Sequence, residues 1–551
     1  MEKRLLLAAG LSLAVLVLWE LVVPKPKPVP SPRANVQGTA SSTAASPRVA
    51  EQPPAAPPVP VGAPVSAAEE TSTILENSVL RLTLSNRGGV IASAVVPAYR
   101  DEEQRPLELV RQLPAPAPRP LALAFPGRDD LTTRAATSLF AVEKLSDRGA
   151  RLRFSDGQFE ITKEVRLGAG YLFDISVSVA GPPYQLSIGS GLRNPADKEL
   201  TNRYVMPATA VATSGGGLQK LRVEKLEKQE KGVTWAVPAK GFAGIEDNYF
   251  LLAFLPERPA DAQVLPVVAK DAAGKPLTTL SVGLSGTGQV SDRVYFGPKD
   301  VEILEGLHDG LERTVDFGWY GVLARPLLWL LKRTYSYVGN YGLAILLVTL
   351  IIRIALFPLM HKSYASMKKM QKLAPKMNAI RDKYKKAKTD AAQRAKMNQE
   401  LMTLYQAEGY NPMSGCLPIL LQLPILVAFY NVLSRSIELR HAPFALWIRD
   451  LSAVDHTYVL LVLMIVSMYV QQAMTPSTAD PAQKKIFMAM PLLWGFFLKD
   501  MPSGLVLYWL FSNILTILQQ VLINRIVKDD EPASARATGR KRIAQAKGAG
   551  R

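Results

Sequence analysis

Residues 337–360 read YVGNYGLAILLVTLIIRIALFPLM, an apolar run with a single charge inside it, Arg353. The run exceeds the roughly twenty apolar residues that cross a hydrocarbon core as a helix. An arginine at such a place costs at least about 2.5–3.5 kcal/mol on insertion scales, so it normally faces a wet cavity or a polar partner. Arg353 precedes His361 by about 12 Å of helix, so snorkelling to the headgroups is the competing reading. Other apolar segments carry Thr349, Gln422, Asn431, Gln471, Gln472, Ser512, Asn513, Gln519 and Gln520, which argues for the cavity. The last five apolar segments hold no Asp or Glu to pair with Arg353. An unpaired cation in a wet groove attracts acidic groups from elsewhere.

Working outward, four apolar segments follow, at 413–433, 457–474, 486–498 and 504–526, and one precedes, at 1–23. The segment 486–498 reaches only about 20 Å against a core of about 30 Å. Either Lys484, Lys485 and Lys499 snorkel around it or the bilayer is thin there. Lys3 and Arg4 precede the first segment, whose end offers no small-residue cleavage site, which predicts an uncleaved anchor with a cytoplasmic N-terminus.

The net charge of +18 tests this topology once it is divided by segment. Residues 24–315 hold 33 basic and 32 acidic residues, a net +1. Residues 361–412 hold twelve basic and four acidic, a net +8. Residues 434–456 hold three of each, and 525–551 hold eight basic and three acidic. Basic and near-neutral connections alternate as six spans with both ends cytoplasmic require.

Between the spans the composition changes character. Residues 24–71 are a flexible Pro/Ala-rich linker, with twelve of the 41 prolines between 24 and 70. From 72 to 315 the pattern is β. Ser155-Asp156-Gly157-Gln158 marks a turn, Phe159, Ile161, Val165 and Leu167 share one parity, and Tyr171, Phe173, Ile175, Val177 and Val179 alternate strictly. This predicts an antiparallel β-sandwich outside the cytoplasm. Residues 316–336, with Trp319, Tyr320 and Trp329, predict an interfacial amphipathic helix. In 361–412, Met370, Leu373, Met377, Ile380 and Tyr384 follow helical spacing, and Met397, Leu401, Leu404 and Glu408 continue it after a break near Lys388-Thr389. A basic helical hairpin fits, with Pro375 expected to kink its first helix. Its methionines serve either as hairpin core or as an adaptable apolar surface. Its charge suits lipid headgroups or ribosomal RNA, with no sequence-specific nucleic-acid contact.

Enzyme signals are missing. Cys416 is the only cysteine, and His308, His361, His441 and His456 are scattered, so neither a disulfide nor a His/Cys metal site is expected. No phosphate-cradling glycine run suggests nucleotide hydrolysis. Ser503-Gly504 reads as a turn, and no cofactor is expected.

The chain resembles the YidC-type membrane-protein insertases of Gram-negative bacteria. The resemblance rests on the Arg353 span ending Phe357-Pro358-Leu359, on Asn411-Pro412-Met413-Ser414-Gly415-Cys416-Leu417-Pro418, and on Gln422-Leu423-Pro424-Ile425. Residues 442–452 (APFALWIRDLS) and 502–509 (PSGLVLYW) add to it, with weaker support from Tyr295-Phe296-Gly297-Pro298-Lys299. It implies six transmembrane helices, five of them a core at 337–526 with a cytoplasmic hairpin at 361–412, plus a periplasmic β-sandwich and a basic tail at 527–551. It further implies a hydrophilic groove holding Arg353, with Thr349, Gln471 or Gln472, Tyr508 and Trp509 nearby. The implied partners are nascent membrane proteins, the Sec translocon with its accessory subunits, the ribosome through hairpin and tail, and anionic lipids. The implied location is the inner membrane, and the implied activity is not enzymatic. Two other readings stand beside it: a transporter or channel using Arg353 as an anion site, and a membrane-tethered carbohydrate enzyme using the β domain.

Overall fold

The computed structural model describes residues 63–195, 206–226, 232–270, 274–384, 390–408, 417–475 and 481–529. The anchor read at 1–23, most of the linker, the motif residues 411–416, the break at Lys388-Thr389 and the tail beyond 529 lie outside the described residues.

Alternating apolar residues from Ser72 to Pro298 form antiparallel strands gathered into three sheets. The largest has nine strands, in the order Gly217–Arg222, Thr209–Ser214, Ala243–Glu246, Phe250–Leu255, Gln289–Pro298, Leu172–Ala180, Glu160–Leu167, Gly149–Ser155 and Ala141–Ser146. A five-stranded sheet runs Val233–Val237, Ala260–Lys270, Pro276–Gly286, Tyr184–Ser190, Leu123–Ala124. These two sheets pack on one another, Ala243–Glu246 against Pro276–Gly286 and Phe250–Leu255 against Tyr184–Ser190. The remaining four strands, from Ser72–Glu76 to Pro106–Glu108, form a separate small sheet.

The turn at 155–158 is set by its side chains. Asp156 Oδ1 accepts from the amides of Gln158 and Phe159 at 2.9 and 2.8 Å, and Gly157 takes φ +83°, which a residue without Cβ adopts freely. Beyond it Phe159, Ile161, Val165 and Leu167 are buried, as are Tyr171, Phe173, Ile175, Val177 and Val179. The same parity also buries Lys163, which a hydrophobic pattern passes over. Its Nζ donates to the carbonyls of Gly88, Gly89 and Leu121 at 2.8, 2.9 and 2.7 Å and lies 5.2 Å from the Phe140 ring. Burial pushes the Lys163 ammonium down to about 7. The three carbonyls act in the opposite sense, because only the ammonium has three N–H groups to give.

The helical region begins with α1 (Gly321–Val338), entered through a 3₁₀ turn at Gly318–Tyr320. Ala324, Leu327, Leu328 and Leu331 are buried at helical spacing, while Trp319, Val322, Leu323, Trp329 and Tyr337 are exposed. Then come α2 (Tyr341–Lys383), α3 (Ala391–Ala407), α4 (Leu417–Arg435), α5 (Val459–Met474), α6 (Pro481–Leu498) and α7 (Ser503–Asp529).

Two differences from the sequence reading concern helix ends. The apolar span and the first hairpin helix are one helix, α2, of 43 residues, assigned without interruption through Pro358 and Pro375. Hydropathy changes at His361, but backbone hydrogen bonding does not, so a polarity boundary is no helix boundary. Likewise α6 starts at Pro481 rather than at the apolar residue Ile486 and has 18 residues, about 27 Å of rise. Among the described residues two helices are long and apolar enough to cross a membrane, Tyr341–Lys383 and Ser503–Arg525; the apolar stretches Val459–Met474 and Ile486–Leu498 are shorter.

The two regions touch where α4 ends. Asn248 Nδ2 donates to the Ser434 carbonyl at 3.1 Å, and Arg440 Nη1 donates to the Arg100 carbonyl at 2.7 Å.

Lys163→Met keeps the volume but leaves three buried carbonyls without a donor. The expected loss is about 2–4 kcal/mol, seen as a lower unfolding temperature of the detergent-purified protein. An unchanged temperature would show that water takes the amine's place.

Candidate functional site

The site is set by how α2 presents its faces. Leu343, Leu347, Ile351 and Ile354 form an exposed apolar stripe, whereas Ala344, Ile345, Val348 and Thr349 are buried against neighbouring helices. Residues four apart stack along one helix face, so Ile345, Thr349 and Arg353 form a row on the bundle side. The Thr349 hydroxyl donates to the Ile345 carbonyl at 2.6 Å. It is satisfied within its own helix and buried.

Arg353, partly buried one turn further on, sends its Nη2 to the hydroxyl of Ser512 on α7. Ser512 Oγ also lies 3.0 Å from Nε2 of Gln422 on α4, and the same Nε2 lies 3.4 Å from the Tyr508 hydroxyl. The Tyr508 ring stacks on Phe429 with centroids 4.1 Å apart. Three helices therefore meet around one cation and a chain of neutral dipoles. No carboxylate pairs with Arg353 among the described residues.

The remaining residues expected near Arg353 make no hydrogen bond to it among the described residues. Trp509 is partly buried and packs on Trp494 of α6 at 5.9 Å. Gln471 is partly buried and Gln472 is exposed, and neither makes a side-chain hydrogen bond to Arg353 among the described residues. The reason is the helix period of α7. Ser512 faces α2 and α4, whereas its neighbour Asn513, about 100° around the helix, donates to Ser467 of α5 at 3.0 Å. Gln520 extends that seam to Thr475 at 3.1 Å. Gln471 stands on the row between Ser467 and Thr475, the side of α5 that meets Asn513 and Gln520 of α7.

Gln422 and Ser512 are the site residues that sequence reasoning left unplaced. Both stand out as polar groups in apolar helices. Pairing them with Arg353 needed the helix rotations. Chemically, a guanidinium that donates to one neutral hydroxyl, itself bonded to an amide, has no carboxylate or imidazole paired with it among the described residues. It is equipped to attract and hydrogen-bond, and its charge stays available to an incoming anion.

A domain built mainly of β-sheet, joined to apolar helices that hold a cation beside neutral dipoles, is the build of a membrane protein with a large extramembrane domain. Residues 333–531 match the family described as 60Kd inner membrane protein, and residues 73–330 match the YidC periplasmic domain. The membrane protein insertase YidC of Syntrophus aciditrophicus (strain SB) is 35% identical over 560 residues, covering 95% of this chain and 100% of that protein. That of Citrifermentans bemidjiense is 35% identical over 557 residues, covering 96% and 100%. A solved structure of an active YidC insertase, with its first transmembrane domain resolved, is 19% identical and covers 83% of this chain and 94% of its own, with a TM-score of 0.35. The chain belongs to the YidC family of membrane protein insertases, inner-membrane proteins with a periplasmic domain.

Because Ser512 serves Arg353 and Gln422 together, Ser512→Val and Arg353→Leu should not add. A double-mutant cycle on thermal unfolding in detergent is expected to give a coupling of about 1–3 kcal/mol. Strict additivity would mean that the two side chains do not interact in the folded protein.

Proposed function

We propose that this chain inserts nascent membrane proteins by receiving their hydrophilic tails at a water-filled groove around Arg353 and releasing their apolar segments into lipid. The observation that carries this reading is the Arg353 cluster, a cation inside an apolar helix that, among the described residues, donates to a neutral hydroxyl and pairs with no carboxylate. Water and the guanidinium lower the cost of taking a polar tail partway across the bilayer. The client's apolar segment then leaves for lipid by hydrophobic transfer, which needs no nucleotide.

The reading includes a topology of six spans with both termini in the cytoplasm. Alternating loop charge supports it, and so does the fold. Residues 434–440 touch the β domain, while α2 carries the hairpin the other way. At 43 residues α2 is about 64 Å long, enough for a bilayer core and roughly 30 Å beyond. On this reading the hairpin α2–α3 stands in the cytoplasm, joined by Lys376–Glu408 and Lys383–Glu400 pairs at 2.6 and 3.0 Å. Its outer charges, with the tail, face the ribosome and anionic lipids. Trp319, Val322, Leu323 and Trp329 of the α1 segment lie in the periplasmic leaflet. The Sec translocon and its accessory subunits are the further partners.

Arg353→Ala is expected to reduce insertion of clients with acidic translocated tails about tenfold, the scale of one charged hydrogen bond, and to affect clients with neutral tails less. Reconstituted vesicles and a protease-protection assay measure it. Equal insertion of both client classes by the variant would remove Arg353 from the mechanism. Photocrosslinking from position 423 on the exposed face of α4 to a stalled nascent chain tests the exit route beside that span, and solute flux through the same vesicles distinguishes a channel.

A further inference from the structure

The segment between α4 and α5 is ordered, and it is tied to three helix starts. Asn340, which caps α2 by accepting from the Leu343 amide at 3.0 Å, donates to the Phe444 carbonyl at 2.9 Å. The Phe444 ring lies against Gly342, where an added Cβ would stand 2.0 Å from a ring carbon, so only glycine admits it. At the start of α7 the amides of Ser503 and Gly504 donate to Ala453 and Leu451 at 2.7 and 2.9 Å, and the Ser503 hydroxyl donates to the Asp450 carbonyl at 2.7 Å. Asp455 caps α5, accepting from the Leu460 amide at 2.9 Å. Residues 436–456 thus lie across one end of the helical bundle, with Ile437, Leu439 and Leu451 buried beneath.

The β domain grips this segment from the other side. Glu438 pairs with Lys332 of α1 at 3.1 Å, and Lys332 also reaches Glu302 at 3.0 Å and Asp300 at 3.5 Å. Arg440 donates to the Arg100 carbonyl and lies 5.7 Å from the Phe250 ring and 6.0 Å from that of Tyr249. Asn248 holds the Ser434 carbonyl. The corner that delivers Asn248, Tyr249 and Phe250 is itself stiffened by buried charge. Asp247 pairs with Arg193 and accepts from the Tyr249 and Phe250 amides at 2.8 Å each, while Glu246 lies between Lys220 and Lys299 at 2.8 and 2.9 Å. Charges removed from water tolerate little displacement, because each shift leaves one unpaired.

We propose that the β domain is a clamp. Through the backbone at Arg100, through Asp300 and Glu302 by way of Lys332 of α1, and through Asn248 at the end of α4, it holds residues 436–456 down as a seal over the end of the bundle it faces, with Glu438 and Arg440 as the positioning residues. The clamp rests on the reading that the bundle spans a membrane, and it gives the domain a role that needs no ligand of its own. A bundle that admits polar tails from one side must not conduct small solutes through to the other. Hydrogen bonds at helix starts can fray, and a rigid domain docked on top suppresses that fraying.

The test uses the full-length protein in liposomes loaded with carboxyfluorescein. Arg440→Ala and Glu438→Lys are expected to release the dye about tenfold faster than the parent, the population shift matching one charged hydrogen bond. Asn248→Ala is expected to do so more weakly, and Arg440→Lys to restore most of the seal. Lys163→Met, which weakens the same domain far from the clamp, serves as the control for general destabilisation and is expected to stay tight. Dye release at the parent's rate from all three clamp variants, each eluting as a folded species, overturns the proposal, as does equal leakage from Lys163→Met. Client insertion is measured in the same vesicles. Its absence in the parent would overturn the insertase reading, while the leak comparison among variants would still decide the clamp.

Discussion

Removing a charge from water costs several kcal/mol unless hydrogen bonds or an opposite charge replace the lost solvent. This fold meets that requirement in different ways at each of its levels. Lys163 spends its three N–H groups on three carbonyls and ties two loops to the largest sheet. Arg193 and Asp247 neutralise each other where the sandwich meets the helices. Lys332 gathers Glu438, Glu302 and Asp300; burial works against its ammonium, but the carboxylates prevail and raise its pKa. Arg353, like Lys163, has neutral partners, Ser512 directly and Gln422 through it, but it has them inside an apolar helix.

Two kinds of buried charge result. A charge cancelled by its neighbour, as at Arg193–Asp247, holds two elements together and has little field left. A charge held by dipoles keeps more of its field, and Lys163 and Arg353 are both of this kind. The helices around Arg353 are placed by ordinary means: apolar stripes for contact, a polar seam from Ser467–Asn513 to Thr475–Gln520, and aromatic stacking of Tyr508 on Phe429. The buried ion pairs of the β domain and the hydroxyl-bonded cation of the bundle follow from the same solvation physics.

Much of this was legible beforehand. Alternation from Phe159 to Val179 is a backbone property of strands, so the buried parity of that hairpin could be read directly, apart from Lys163. Nothing in a hydrophobicity pattern distinguishes a buried lysine from an exposed one, because its acceptors come from residues 88, 89 and 121. The polar residues of the apolar helices were legible too, as a set. Which of them meet was not. Gln471 and Gln472 are polar residues of an apolar segment just as Ser512 is, and only the rotation of α7 directs Ser512 to Arg353 and Asn513 to Ser467.

The sequence by itself determined the division into a β-rich domain and apolar helices and the isolation of Arg353 among uncharged residues, together with the bias of positive charge toward 361–412. These are properties of composition and local period, which every residue carries with it. Tertiary structure alone decided that one helix runs from Tyr341 to Lys383, that Arg353 meets Ser512 and Gln422, and that residues 436–456 are held between helix starts and a sheet corner. Each of these depends on how two elements are rotated and set against one another. Rotation is fixed by packing across long stretches of chain, which no local pattern contains.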